Sequence, residues 1–216
     1  AIDALKKEEI TFYPASKRKE LIAYLEQLKD WNISRQIPWG IPIPAFVNEN
    51  DPKDWIFDTR TKEQSIVVNS TTYIREEDTF DTWFSSGQWP YIVTDYLTDG
   101  DLANYFPTDM METGMDIMRA WVSRMIMLSL YRTGKLPFKE VYLHGMVNDE
   151  HNQKMSKSKG NVINPMELVA EFGSDATRMG IIAGRAPAQS QAFNRGSVIA
   201  ARNFCNKLWN IARFVE

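Results

Sequence analysis

Between residues 116 and 160 the chain changes its hydrophobic period twice, and no other feature restricts its fold as strongly. From Asp116 to Arg132, Trp121, Met125 and Leu128 recur at helical spacing. Gly134 and Pro137 then form a stop signal, a glycine for the cap and a proline that cannot continue a helix. Glu140 to Leu143 follows as a short apolar run and reads as a buried strand. From residue 79 onward the pattern is strand–helix–strand, which predicts an α/β fold with a parallel sheet. Sheets of that kind bind ligands outside the carboxyl ends of their strands. Here the strand delivers the chain into His144-Gly145 and then a polar loop that holds Lys154, Lys157 and Lys159 among small residues. Mobile ammonium groups in such a place suit the charge that develops on a triphosphate under attack.

Residues 10–14 read as a short strand and Lys17 to Leu28 as a helix capped by Ser16, with Leu21, Ile22, Leu25 and Leu28 on one face. Its opening cations, Lys17, Arg18 and Lys19, oppose the helix dipole, so packing must carry it. Pro38, Pro42 and Pro44 keep the segment 31–46 from forming a regular helix. The polar, acidic stretch 47–64 predicts an exposed loop or hairpin, ahead of an apolar strand at Ser65 to Val68. Asn164-Pro165-Met166-Glu167 is a helix start, with an Asn cap, a proline at the first position and a Glu three residues after the cap. Gly173 closes that helix and Ser174 opens the next. Gln191 to Val215 reads as one long amphipathic helix or a broken pair. Val198, Ala201, Phe204, Cys205, Leu208, Ala212 and Val215 fall on an arc expected to be core, and Arg195, Arg202 and Arg213 on a second, solvated arc.

Composition narrows the class further. The 216 residues suffice for one large domain or two small ones, and 44% hydrophobic with 25% charged residues excludes wholesale disorder. A net charge of −3 and a pI near 5.6 make the whole molecule no electrostatic magnet for nucleic acid, so any RNA contact must come from local basic patches. Cys205, the single cysteine, cannot form an internal disulfide, which favours a reducing, cytoplasmic compartment. No run approaches the ~18 apolar residues of a membrane span, and no membrane partner is expected. The opening residues, Ala1 to Lys7, carry neither an initiator Met nor a signal-peptide core, so the chain is expected to come from the interior of a longer one.

Lys154-Met-Ser-Lys-Ser158 matches the KMSKS signature of class I aminoacyl-tRNA synthetases letter for letter, with His144-Gly145 in the family's register. Asp30-Trp-Asn-Ile-Ser-Arg-Gln36, Trp39-Gly-Ile-Pro-Ile-Pro44, Asp81-Thr-Trp-Phe-Ser-Ser86, Thr113-Gly-Met-Asp116 and Asn203-Phe-Cys-Asn-Lys-Leu-Trp-Asn210 are similar to the valine, isoleucine and leucine branch of that family. The segments around Thr82 and Thr113 look most like the valine branch. The resemblance runs from about residue 10 to the end, and its motifs occur in the family's order.

The resemblance implies ATP-dependent activation of an amino acid, with transfer of the acyl group to tRNA (tRNA-Val for the valine branch). Phosphoryl chemistry of this kind asks for positioning and charge stabilisation more than for acid–base groups, which fits a chain with only two histidines. It implies that Lys154 and Lys157 stabilise the β- and γ-phosphates, while Ser156 and Ser158 hydrogen-bond the loop or phosphate oxygens. His144 and Gly145 would lie against the base and ribose, with Gly114 and Asp116 at the ribose hydroxyls and Glu112 near the ligand. Trp83, Ile117 and Trp121 would wall a valine pocket, Ile117 being the letter that separates it from the isoleucine branch, where a polar Gln is usual. Magnesium would travel with ATP. His151 has no family counterpart and is expected to face solvent.

Two family features are not found in the sequence, the His-Ile-Gly-His element that binds ATP and the editing domain. The segment Phe46 to Asp58 holds no cysteine, and no zinc is expected. The expected organisation is the end of an insertion region over 1–78 and the second half of a Rossmann-like domain over 79–150. The lysine-loop connector then spans 151–184, and 185–216 begins a helical anticodon-binding domain. On this reading the chain is a C-terminal catalytic-core fragment that would not form the adenylate by itself. The competing readings are an isoleucine-branch fragment and a non-catalytic module that binds nucleotide or RNA. Residues 148–161, polar with Met155 as the one apolar anchor and Gly160 as a hinge, are expected to be mobile without ligand.

Overall fold

The structure, a computed structural model, describes residues 1–60 and 62–216. Thr61, inside the stretch 47–64, lies outside the described residues. The chain divides into two compact units. The first comprises Ala1–Ile10, Lys19–Asp109 and Arg119–Lys139, and the second Thr11–Arg18, Met110–Met118 and Glu140–Glu216.

The first unit contains an antiparallel sheet of four strands in the order Asp51–Phe57, Ala45–Asn48, Thr71–Arg75, Ser65–Val68. Ala45–Asn48 and Asp51–Phe57 form a hairpin, with a register shift at Val47/Asn48, over part of the stretch 47–64 expected to be an exposed loop or hairpin. Phe46, Ile66 and Tyr73 are its buried centre, and the Tyr73 hydroxyl donates to Asp54 Oδ2 at 2.9 Å. Within the proline-rich segment, the two-residue strand Ser34–Arg35 pairs with Thr79–Phe80, and Pro42 bridges to Thr79. Asp81 organises this region. It is 4% exposed, and its carboxylate accepts from Trp31 Nε1 at 3.2 Å, from the Arg35 guanidinium, and from the Trp83 amide at 2.7 Å, which caps the helix Thr82–Ser86.

The helix expected over Asp116 to Arg132 is interrupted. A tight turn, Met115–Ile117, leads into a π-helical turn, Met118–Val122, and only Ser123–Thr133 is α-helical. The Arg119 carbonyl there accepts from Ser123 Oγ at 2.5 Å and from Arg124 Nη1 at 2.7 Å. The expected buried face also rotates. Val122, Met125, Ile126 and Ser129 are buried, while Trp121 and Leu128 are half-buried. Gly134, at φ 70°, closes the helix as expected.

In the second unit, Phe138–His144 is the middle of a three-stranded sheet, between Thr11–Tyr13 and Thr108–Gly114. It pairs in parallel with Thr11–Tyr13, Phe12 opposite Val141. The fold is α/β with a parallel sheet, as the strand–helix–strand pattern predicts. Pro165–Phe172 starts under its Asn164 cap, which accepts from Met166 N at 3.0 Å, and Gly173 at φ 87° separates it from Ser174–Ile182. These helices, with Arg195–Val215, bury Leu168, Phe172, Ala176, Phe193 and Val198.

The last segment is one helix, and its apolar arc is not a core face along its length. Val198 and Ala201 are buried, whereas Phe204 is 45%, Leu208 52% and Val215 78% exposed. The helix it packs on is Ser174–Ile182. Arg195 pairs with Glu171 and stacks 5.0 Å over the Phe172 ring, which Arg202 also faces at 5.8 Å.

Candidate functional site

The second unit concentrates the chemistry at one rim. Thr108–Gly114 and Phe138–His144 are neighbours in the sheet, and their carboxyl ends bring Glu112, Gly114 and His144 together. His144 Nε2 lies 3.6 Å from Glu112 Oε1, and its Nδ1 is 2.9 Å from the carbonyl oxygen of Gly145. Gly114 is buried at an ordinary φ of −65°. A Cβ on Gly114 would stand 2.6 Å from Asp116 Oδ1 and 3.7 Å from the His144 ring.

Gly145 is constrained more severely. The segment after Ser174–Ile182 returns across the end of the sheet, with Ala188 N donating to Leu143 O at 2.7 Å and Gln191 N to Met146 O at 3.0 Å. A short parallel pair, Val147–Asn148 with Gln191–Ala192, extends this contact. A Cβ on Gly145 would fall 1.9 Å from the Gln189 carbonyl oxygen. Between His144-Gly145 and the returning segment is a cavity of about 400 Å³, more apolar than polar, whose far wall is Ile181, Ile182 and Arg185. That wall was not visible to sequence reasoning. The Arg185 guanidinium is turned back onto the Ile181 carbonyl, Nε donating at 2.7 Å.

The lysine loop reaches the same rim. Lys154 Nζ lies 3.6 Å from Asp116 Oδ2, so the loop's first lysine and the turn's carboxylate form an ion pair. Lys157 and Lys159 are exposed on a tight turn, Lys157–Lys159, ended by Gly160 at φ 68°. Ser156 Oγ and Ser158 Oγ are 3.2 Å apart. The loop, for which Met155 is the one apolar anchor expected, also has a polar anchor at its base. Asp149 Oδ1 accepts from the amides of His151 (3.0 Å) and Gln153 (2.7 Å), and its Oδ2 accepts from Asn161 Nδ2 at 2.8 Å. The Asn161 hydrogen bond, helped by the Gln153 amide, holds the Asp149 carboxyl below the ordinary carboxylate range. Met155 is half-buried, its sulfur 3.4 Å from the Ile163 amide, and His151 is exposed.

Of the aromatic residues assigned to an amino-acid pocket, Trp83 and Trp121 belong to the first unit. Trp83 sits in the capped helix Thr82–Ser86, and Trp121 Nε1 donates to the Ser86 carbonyl at 2.9 Å. Trp121 meets Trp89 edge-on, with ring centroids 6.4 Å apart. Ile117 is half-buried in the second unit's turn Met115–Ile117. Among the described residues no group of three or more His, Cys, Asp or Glu side chains could hold a metal ion.

Residues 1–192 match the family model of tRNA synthetases class I (I, L, M and V). The chain belongs to this family. It is 41% identical over its whole length to a valine–tRNA ligase of Gluconobacter oxydans, of which it covers 24%, and 42% identical over 99% of its length to one of Thermus thermophilus, of which it covers 25%. The chain thus spans about a quarter of the length of these relatives. Among solved structures, the fold is similar to LeuRS of Agrobacterium radiobacter K84 in a ternary complex with tRNA and LeuAMS. That match has a TM-score of 0.72 at 24% identity and covers 91% of this chain and 30% of that one. It is also similar to the Mycobacterium tuberculosis methionyl-tRNA synthetase bound by methionyl-adenylate, with a TM-score of 0.65 at 21% identity, covering 94% and 34%. Among the described residues no helix is long and apolar enough to cross a membrane.

Proposed function

We propose that this chain is part of a valine–tRNA ligase and holds the nucleotide while valine is activated and passed to tRNA. The observation that carries the reading is the convergence of Lys154, Asp116, Gly114 and His144 on one rim, beside an apolar cavity of about 400 Å³, in a chain about 40% identical to valine–tRNA ligases. In activation a valine carboxylate oxygen bonds to the α-phosphorus of ATP, the bond to the bridging oxygen breaks, and pyrophosphate leaves. Negative charge moves toward the leaving group, and Lys154 and Lys157 act there, with Ser156 and Ser158 on the loop or the phosphate oxygens. The base and ribose lie along His144 and Gly145, and a carboxylate at Asp116 can accept two ribose hydroxyls. Lys154 now holds that carboxylate, so nucleotide binding requires Lys154 to exchange Asp116 for phosphate. Magnesium enters as the ATP complex, and the choice of amino acid is assigned to Trp83, Ile117 and Trp121. The helix Arg195–Val215 is assigned to the start of the anticodon-binding part.

Titration of the chain with ATP, followed by NMR, tests the nucleotide half of this reading. Shifts at His144, Gly145, Met146 and Lys154, weakened by His144→Ala, are expected. Shifts confined to other surfaces would overturn it.

A further inference from the structure

We infer that Asp149 and Asn161 form a clamp that closes the lysine loop at its base and aims its lysines. This is a positioning role that rests on the ligase reading for its catalytic consequence. The two side chains face each other across twelve positions of chain, Asn161 Nδ2 donating to Asp149 Oδ2 at 2.8 Å. Each also holds the loop's backbone on its own side. Asp149 accepts from the amides of His151 and Gln153, and Asn161 Oδ1 accepts from the Ser156 amide at 3.0 Å. Asn161 Nδ2 also lies 3.4 Å from the Lys154 carbonyl oxygen. The backbone completes the closure, with Asp149 N donating to Gln153 O at 2.9 Å. These contacts fix the main chain at Gln153, Lys154 and Ser156 and leave the ammonium groups outside and exposed, that of Lys154 paired with Asp116. A cationic loop that must meet a transient charge gains rate from being held near its working geometry beforehand. Neither residue has an ammonium or a hydroxyl to offer the phosphates, so their effect passes through the loop.

The hydrogen-bond pattern itself supplies the test. Asp149→Asn leaves two amides to face each other or forces one to turn, and Asn161→Asp sets two carboxylates about 3 Å apart, the range in which like charges cannot both ionise. The exchange of both, Asp149→Asn with Asn161→Asp, restores a donor facing an acceptor and keeps an oxygen for each loop amide. Amide hydrogen exchange on the 216-residue chain is the first readout. Each single variant is expected to speed exchange at Gln153 and Ser156 roughly tenfold, the loss of one hydrogen bond of ordinary net strength, and the double variant to recover most of it. Valine-dependent ATP–pyrophosphate exchange in the full-length ligase is the second. There kcat should fall roughly tenfold in the single variants, with KM for valine within about twofold, and should return in the double variant. A double variant exchanging as fast as the singles overturns the clamp, and so does a loosened loop with unchanged kcat. If the wild-type ligase shows no valine-dependent exchange, the ligase reading fails and the amide data still decide the clamp.

Discussion

Gly145→Ala probes the close approach on which the cavity depends. The new Cβ would lie 1.9 Å from the Gln189 carbonyl oxygen, 2.1 Å from its carbon and 2.5 Å from the Ser190 nitrogen, all backbone atoms. Ordinary contact begins near 3.4 Å, so the returning segment must retreat by about 1.5 Å. Three hydrogen bonds span that contact, Ala188 N to Leu143 O, Gln191 N to Met146 O, and Met146 N to Ser190 Oγ at 3.0 Å. At about 1 kcal/mol each, their loss or distortion costs about 3 kcal/mol. Up to about 1 kcal/mol is offset because alanine restricts the unfolded chain more than glycine does. The net expectation is about 2 kcal/mol, a large share of the ~5–15 kcal/mol that holds ordinary domains together. Urea denaturation of the chain, followed by far-ultraviolet circular dichroism, measures it, and ATP titration of the folded variant reads the damage to the cavity. A change below about 0.5 kcal/mol with nucleotide binding intact would refute the reasoning, since it would mean that the segment moves aside at no cost.

In the full-length ligase proposed above, Lys157→Ala should lower the rate of adenylate formation by roughly 10²- to 10³-fold, the scale of losing one donor to a developing oxyanion. Valine binding should change little, and pre-steady-state kinetics with an unchanged activation rate would remove Lys157 from that role. Ile117→Ala should raise the kcat/KM of isoleucine relative to valine, and an unchanged ratio would show that Ile117 does not select the amino acid. The Asp149 carboxyl, held down mainly by Asn161, should titrate below the ~3.9 of an unperturbed aspartate. A carboxyl whose pKa is lowered on folding contributes above its unfolded value, and that contribution fades as pH falls through the lowered one. Carboxyl carbon shifts in an acid titration should show the lowered midpoint, and Asn161→Ala should move it up. An ordinary midpoint in the unaltered chain would remove the hydrogen bond from solution.

What was legible in the sequence was local. The strand before His144, the Gly134 stop, the Asn164 cap and the lysine loop each announce themselves within a few residues, because caps, turns and strand period are set by neighbours in the chain. What was hidden depends on partners far along it. No local signal marks Arg124, which is 9% exposed; Trp31 faces its guanidinium at 4.7 Å and the Tyr24 hydroxyl accepts from it at 2.8 Å. The π-helical turn Met118–Val122 is likewise not encoded by hydrophobic spacing. Ile181, Ile182 and Arg185 become a cavity wall because the chain turns back around them, through Gly184 at φ 74° and Ala188 at φ 55°. The glycine can be read as a turn signal, but an alanine in a left-handed conformation cannot. The arc from Phe204 to Val215 has the periodicity of a core face, and periodicity alone does not say whether anything covers it.

The central claim is that this chain serves valine activation, and ATP–pyrophosphate exchange by the full-length ligase measures it directly. With valine, isoleucine and threonine offered separately at equal concentration, exchange should be fastest with valine, and Lys154→Ala and Lys157→Ala should each suppress it. Exchange driven best by isoleucine, or by none of the three, would contradict the account.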